Sequence, residues 1–132
     1  MRKGSCLCGA VSFEVTGNTF GEASGCHCRQ CRKQSGHYWA SVEVPLHAIE
    51  IKGQPHWFAA SEMARRGFCR QCGSLLFWQA HDEDTLNVSL GAFDGPTGLT
   101  MQNHIFVADK GDYYDIADGL PQYAQYEGEA DD

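Results

Sequence analysis

Cys26-His27-Cys28-Arg29-Gln30-Cys31 packs three thiols into one short stretch. A structural cysteine behaves as a small hydrophobe and keeps apolar company. These three are interleaved with His27, Arg29 and Gln30 and followed by Arg32 and Lys33. Cationic neighbours favour the thiolate, the form that binds metal. The other cysteines come as two pairs, Cys6-Leu7-Cys8 and Cys69-Arg70-Gln71-Cys72, and the three groups together use all 7 cysteines of the chain.

Disulfides, an iron–sulfur cluster and zinc compete for these thiols. A disulfide framework suits an even number of cysteines in a secreted chain. This chain has an odd number, and no apolar core of a signal peptide follows Met1-Arg2-Lys3-Gly4-Ser5. Iron–sulfur proteins use thiolates at four-Cys spacings that are not reproduced here. Zinc fits best: its structural sites are closed tetrahedra of four protein ligands, and its catalytic sites keep three and an open position.

Composition narrows the class. With 132 residues, 42% hydrophobic and 11% aromatic, the chain can build one core, and residues 1–126 are expected to form a single zinc-binding domain. Residues 127–132 read as an acidic tail. With 15 glycines and so small a core, a metal staple would help. A formal net charge of −7 and a pI near 5.2 argue against a nucleic-acid partner, which needs a basic face. No apolar run approaches the roughly 18 residues of a membrane span. Reduced thiols and the missing export signal make the cytoplasm the expected compartment.

Along the chain, Val11, Phe13 and Val15 alternate with polar residues as in a half-buried strand. Thr16-Gly17-Asn18-Thr19 is a turn, and Phe20 to Ser24 reads as a short strand entering the knuckle. Arg32 to Gly36 reads as a polar loop, followed by strands over 37–44, 48–52 and 56–61, the last pairing antiparallel with its predecessor. Gly73 suits the tight turn of a C-x-x-C-G knuckle around a metal. Strands then follow over 74–79, 85–90 and 104–108. No window shows a helical period, so the expectation is an all-β domain. Trp39, Trp57, Phe77 and Trp78 are assigned to its core.

The pairs Cys6/Cys8 and Cys69/Cys72, each followed by a glycine, are natural halves of one four-Cys site. Such a site contributes folding free energy on the order of 10 kcal/mol. The knuckle at Cys26, Cys28 and Cys31 then has three ligands. A histidine can close it, with His37, His56 and His104 as candidates; His27 is disfavoured because ligands flank it on both sides. His37 and His104 are also candidates for proton transfer, against the commoner role of a satisfied structural histidine.

Three blocks carry a specific resemblance: Ser5-Cys6-Leu7-Cys8-Gly9-Ala10-Val11, Gly25-Cys26-His27-Cys28-Arg29-Gln30-Cys31-Arg32-Lys33, and Gly67-Phe68-Cys69-Arg70-Gln71-Cys72-Gly73-Ser74. Together with the segments from His104 to Lys110 and from Asp118 to Tyr123, they resemble the glutathione-dependent formaldehyde-activating enzyme family, also called the centromere-protein-V-like domain. The resemblance implies a β-rich, Mss4-like fold with two zincs per chain. By the same resemblance, Cys6, Cys8, Cys69 and Cys72 hold a structural zinc, and Cys26, Cys28 and Cys31 a catalytic one. The implied activity is that of a carbon–sulfur lyase joining formaldehyde and glutathione into S-hydroxymethylglutathione.

The chemistry of the residues is compatible with this. A zinc held by three thiolates carries a net negative formal charge, and suits accepting an exogenous thiol better than making hydroxide. Arg29, Arg32 and Lys33 can hold the carboxylates of a peptidic thiol such as glutathione, or can simply offset the charge of the cluster. The expected function is therefore a zinc-dependent lyase acting on a thiol or thiol–aldehyde adduct. The alternative is a non-catalytic zinc module with both metals structural. A chromatin role needs a basic region that this chain lacks.

Overall fold

The computed structural model describes residues 2–126. The tail expected at 127–132 lies outside them. The strands in chain order are β1 Arg2–Ser5, β2 Ser12–Val15, β3 Ala23–Cys26, β4 Trp39–Pro45, β5 Ile49–Lys52, β6 His56–Phe58, β7 Ala64–Phe68, β8 Leu75–Ala80, β9 Thr85–Ser89 and β10 Asn103–Ile105. One short helix, α1 Arg29–Ser35, and three single 3-10 turns complete the described elements. The fold is mostly β, as expected.

The chain divides into two compact units. The first comprises residues up to 21 and 42–98. In it β1 and β5 flank β2 in an antiparallel sheet, with Phe13 opposite Gly4 on one side and Ile51 on the other. Strands β6, β7, β8 and β9 form an antiparallel succession. The core here is Val11, Phe13, Val15, Val42, Val44, Leu76, Phe77, Leu86 and Val88, all essentially inaccessible. Phe13 stands edge-on to Phe77 at 5.8 Å and to Phe93 at 5.2 Å. Such aromatic pairs add about 0.5–1.5 kcal/mol beyond area burial.

The second unit comprises residues 22–41 and those from 99 on. Its frame is a parallel pairing of β10 with β3, in which His104 lies opposite Gly25 and Ile105 opposite Cys26.

Several expectations are corrected. The segment read as a polar loop after the knuckle belongs to α1. Cys28 caps this helix, its sulfur accepting from the Cys31 N–H at 3.4 Å. Gly36 ends it in a left-handed cap, its N–H donating to the Arg32 carbonyl. Seven residues with one buried side chain, Cys31, are too short to show an apolar period.

The strand at 56–58 does not pair with its predecessor. β5 pairs with β2, while β6 pairs with β7, placing Trp57 opposite Gly67. A Cβ on Gly67 would meet the Trp57 ring at 2.9 Å, so the glycine is what lets the indole lie across the strand. The indole stacks on Phe77, and the Arg65 guanidinium sits 3.9 Å from its ring centroid. Trp57 and Trp78 are half-buried, and Trp39 and Phe77 are buried as expected.

The residues before Cys6 form a strand of their own. The strand entering the knuckle starts at Ala23, with Phe20 instead packing its ring against Phe93. The last strand stops at Ile105 because Phe106 takes a left-handed conformation (φ 55°) that turns the chain into the 3-10 segment Val107–Asp109.

Candidate metal centres

In the first unit the end of β1 and the end of β7 bring Cys6, Cys8, Cys69 and Cys72 together, all four sulfurs lying within 4.8 Å of one another. The Cys6–Cys8 and Cys8–Cys69 sulfur separations are both 3.7 Å. Four sulfurs at the usual zinc–sulfur length of about 2.3 Å would form a tetrahedron with edges of about 3.8 Å. The donor set therefore fits a tetrahedral ion. Backbone N–H groups already point at the sulfurs, from Val11 to Cys6 at 3.3 Å and from Cys72 to Cys69 at 3.5 Å. Gly73 (φ 80°) closes the knuckle, donating its N–H to the Cys69 carbonyl at 2.8 Å as the tight-turn expectation requires. The Ser74 hydroxyl, 3.2 Å from the Cys72 sulfur, with backbone N–H groups, lowers that thiol to about 5. Cys6 and Cys69 are buried and Cys8 is exposed.

In the second unit β3 ends at Cys26 and α1 begins after Cys28, so strand end and first helical turn present Cys26, Cys28 and Cys31 to one another within 4.8 Å. No histidine, aspartate, glutamate or further cysteine among the described residues joins either group. The three thiols work against each other. Cys28 and Cys31 beside it, and then burial, hold the Cys26 thiol far above its ordinary range. Three thiolates at this spacing would repel one another unless a cation lay among them. Each cluster can hold a metal ion, and all seven cysteines are free of disulfides.

The histidines considered as a further ligand go elsewhere. His56 lies beside Arg70, its ring Nδ1 3.4 Å from a guanidinium nitrogen, at a cavity of about 440 Å³ floored by Val11, Pro55 and Cys69. His37 packs against Tyr38 and Tyr114. His104 is 1% exposed and joins a hydrogen-bonded chain: its Nε2 lies 2.7 Å from Asp118 Oδ2, and its Nδ1 lies 2.8 Å from His27 Nε2. His27 Nδ1 in turn is hydrogen-bonded to the Tyr114 hydroxyl. Burial, then the neighbouring His104, brings His27 down to about 4, so its imidazole is neutral at neutral pH. Burial, then Tyr113, raises the Tyr114 hydroxyl above its ordinary value, so it keeps its hydrogen. His104 holds Asp118 below the usual carboxylate range.

Of the cations singled out in the sequence, Arg29 and Lys33 are exposed on α1, and Arg32 is half-buried. Arg32 Nε is buried with no hydrogen-bond partner among the described residues. Arg32 and Lys33 also occupy the last turn, where cations complement the helix dipole.

Sequence reasoning gave Asp118 and Tyr114 no hydrogen-bonding role, and weighed His27 only as a metal ligand. The signals available were weak: Asp118 stands before a glycine in a turn, and Tyr114 belongs to an aromatic pair.

Comparison with known proteins adds three findings. A family model described as glutathione-dependent formaldehyde-activating enzyme matches residues 1–109. An uncharacterized lyase of Schizosaccharomyces pombe is 27% identical over 124 residues, covering 87% of this chain and 85% of that protein. The crystal structure of a Rhodobacter sphaeroides protein superposes with a TM-score of 0.61 at 27% identity, covering 72% of this chain and 90% of that one. No helix among the described residues is long and apolar enough to cross a membrane.

Proposed function

This chain belongs to the glutathione-dependent formaldehyde-activating enzyme family, and from that premise we propose that it is a zinc-dependent carbon–sulfur lyase acting on a thiol–aldehyde adduct. Two zincs per chain are proposed, a structural one at Cys6, Cys8, Cys69 and Cys72 and a catalytic one at Cys26, Cys28 and Cys31. The observation that carries the reading is the three-thiol cluster, which no histidine, aspartate, glutamate or further cysteine among the described residues joins. Cys26, Cys28 and Cys31 would hold a zinc, which when bound would supply Lewis acidity toward a thiol.

The chain's own residues have separable tasks. Cys26, Cys28 and Cys31, set by a strand end and a helix start, would hold the ion. Arg32, carried on the same helix as Cys31, is proposed to add positive charge that attracts a carboxylate of a peptidic thiol. Arg29 and Lys33, exposed on the same helix, attract such an anion without fixing it. Glutathione, with two carboxylates, meets these requirements. The site lies in a chain proposed to work in the cytoplasm, where thiols stay reduced. A purely structural role for both clusters would predict a fourth protein ligand at the second, and none is found among the described residues.

The test is to follow the making and breaking of S-hydroxymethyl thioethers by NMR with the zinc-loaded protein. Acceleration that disappears in Cys31→Ser is expected. No acceleration with any thiol of a panel including glutathione, at full zinc loading, would overturn the reading.

A further inference from the structure

We propose that the cleft lined by Gln54, His56 and Arg70 is a binding site for a small carboxylate with an apolar body. The site shares no residue with the three-thiol cluster, and the proposal does not rest on the lyase reading.

Local backbone builds the cleft. Gly53 takes a left-handed conformation (φ 87°), and a Cβ there would meet the Ala10 carbonyl oxygen at 2.1 Å. Its absence lets the turn after β5 close against the segment that follows Cys8, with Val11 in the floor between them. On the other side the Gly73 N–H donates to the Cys69 carbonyl, which closes the knuckle. Cys69 stays buried while Arg70 and Gln71 are exposed at the rim. The volume of about 440 Å³ falls within the usual range of small-molecule sites, roughly 300–1,000 Å³.

The lining is rich in donors and contains no acid. A guanidinium carries five N–H donors and no acceptor, and it stays charged. Arg70 uses one on His56 Nδ1 at 3.4 Å, and no carboxylate among the described residues pairs with it. An arginine that served only to offset the charge of the adjoining four-Cys cluster would turn to its sulfurs. No sulfur among the described residues accepts from Arg70. The Gln71 carboxamide oxygen lies 3.8 Å from the Cys8 sulfur, which leaves its NH2 group without a partner among the described residues. The Gln54 side chain has none there either. Asp and Glu outnumber Lys and Arg by 17 to 10 in the chain, yet none of them lines this cleft. Such a lining favours an anion.

The walls select among anions. Pro55 is half-buried and Ala10 exposed, so both present apolar surface that a bare inorganic ion leaves uncovered. A carboxylate matches the planar guanidinium through two parallel hydrogen bonds, and an attached ring covers the apolar wall.

The probes are benzoate, acetate, benzamide and inorganic phosphate, titrated into the zinc-loaded protein while the Arg70 side-chain and His56 ring resonances are followed by NMR. Saturable benzoate binding of about millimolar affinity is expected to shift both. Acetate and benzamide, each lacking one half of the recognition, are expected to bind at least about fivefold more weakly. Benzoate shifts that only grow linearly, or equal affinity for benzamide, overturn the proposal. Equal affinity for acetate or inorganic phosphate overturns the apolar body as a requirement.

Arg70→Gln is expected to weaken benzoate at least about tenfold. Because Arg70 stands inside the Cys69–Cys72 knuckle, Gln54→Glu gives a check from outside it. A carboxylate placed in that turn is expected to repel benzoate by a similar factor, about tenfold, at unchanged zinc content. Unchanged benzoate affinity in either variant overturns the site.

Discussion

The two thiol clusters are built from the same local pieces and do opposite things to the chain. In both, a C-x-x-C segment aims a backbone N–H at the sulfur of its first cysteine, from Cys31 to Cys28 and from Cys72 to Cys69. The four-Cys group, however, closes over 61 positions between Cys8 and Cys69, so an ion there ties together segments that are otherwise distant. The three-Cys group lies within one strand end and one helical turn, and an ion there closes almost no loop. A long closure converts metal binding into folding free energy, whereas a short one leaves that energy for a ligand. On the reading proposed above, ligand number and loop length separate the two clusters better than burial does, since each contains a buried cysteine and at least one that is not.

The hardest blow to this contrast is Cys69→Ser, at a thiol only 1% exposed. It is expected to remove a stabilisation of roughly 5–10 kcal/mol and leave the first unit unfolded at room temperature, seen as lost near-ultraviolet circular dichroism. Cys31→Ser should keep that signal, lower zinc from two to one per chain and reduce adduct turnover by at least about a hundredfold. Should Cys31→Ser unfold the protein as Cys69→Ser does, the contrast between the clusters collapses.

A kinetic version sharpens it. Under a mild chelator one zinc is expected to leave at least about tenfold faster than the other, with three thiols becoming titratable as it goes. Equal release rates would mean both sites are closed.

Smaller effects locate the supports. Gly67→Val forces a side chain into the Trp57 ring and is expected to cost about 1–3 kcal/mol in urea unfolding without altering release of the labile zinc. The pH dependence is smaller still. Asp118 is held below its unfolded value, so its contribution is complete above the ordinary carboxylate range and is lost as pH falls through the folded value. Urea midpoints measured from about pH 5 to about pH 3 should therefore fall less steeply in Asp118→Asn than in the wild type.

Much of this was legible in the sequence, for a physical reason. Thiol spacing is a local property, so the division into four and three could be read from Cys6, Cys8, Cys69 and Cys72 against Cys26, Cys28 and Cys31. The alternation of Val11, Phe13 and Val15 likewise marked a strand facing a core. What escaped depends on partners remote in the chain. Whether the strand at Trp57 pairs backward or forward is settled by an indole crossing Gly67, and no pattern within residues 56–61 carries that information. The helix after Cys28 is held by a sulfur cap and a glycine instead of by an apolar stripe. Asp118 matters only because its strap returns to His104, 14 positions away, and His104 to His27, 77 away.

The parallel pairing of β10 with β3 sets a timetable for synthesis. All four cysteines of the first cluster have been made once Cys72 is added, with 60 of the 132 residues still to come. The second cluster has its three thiols by residue 31, yet the strand that flanks them and the His104–Asp118 brace are among the last parts to be translated. For most of its time on the ribosome the nascent chain carries the thiol triplet without its frame. The three-thiol knuckle is written early and framed late, once β10 has been made.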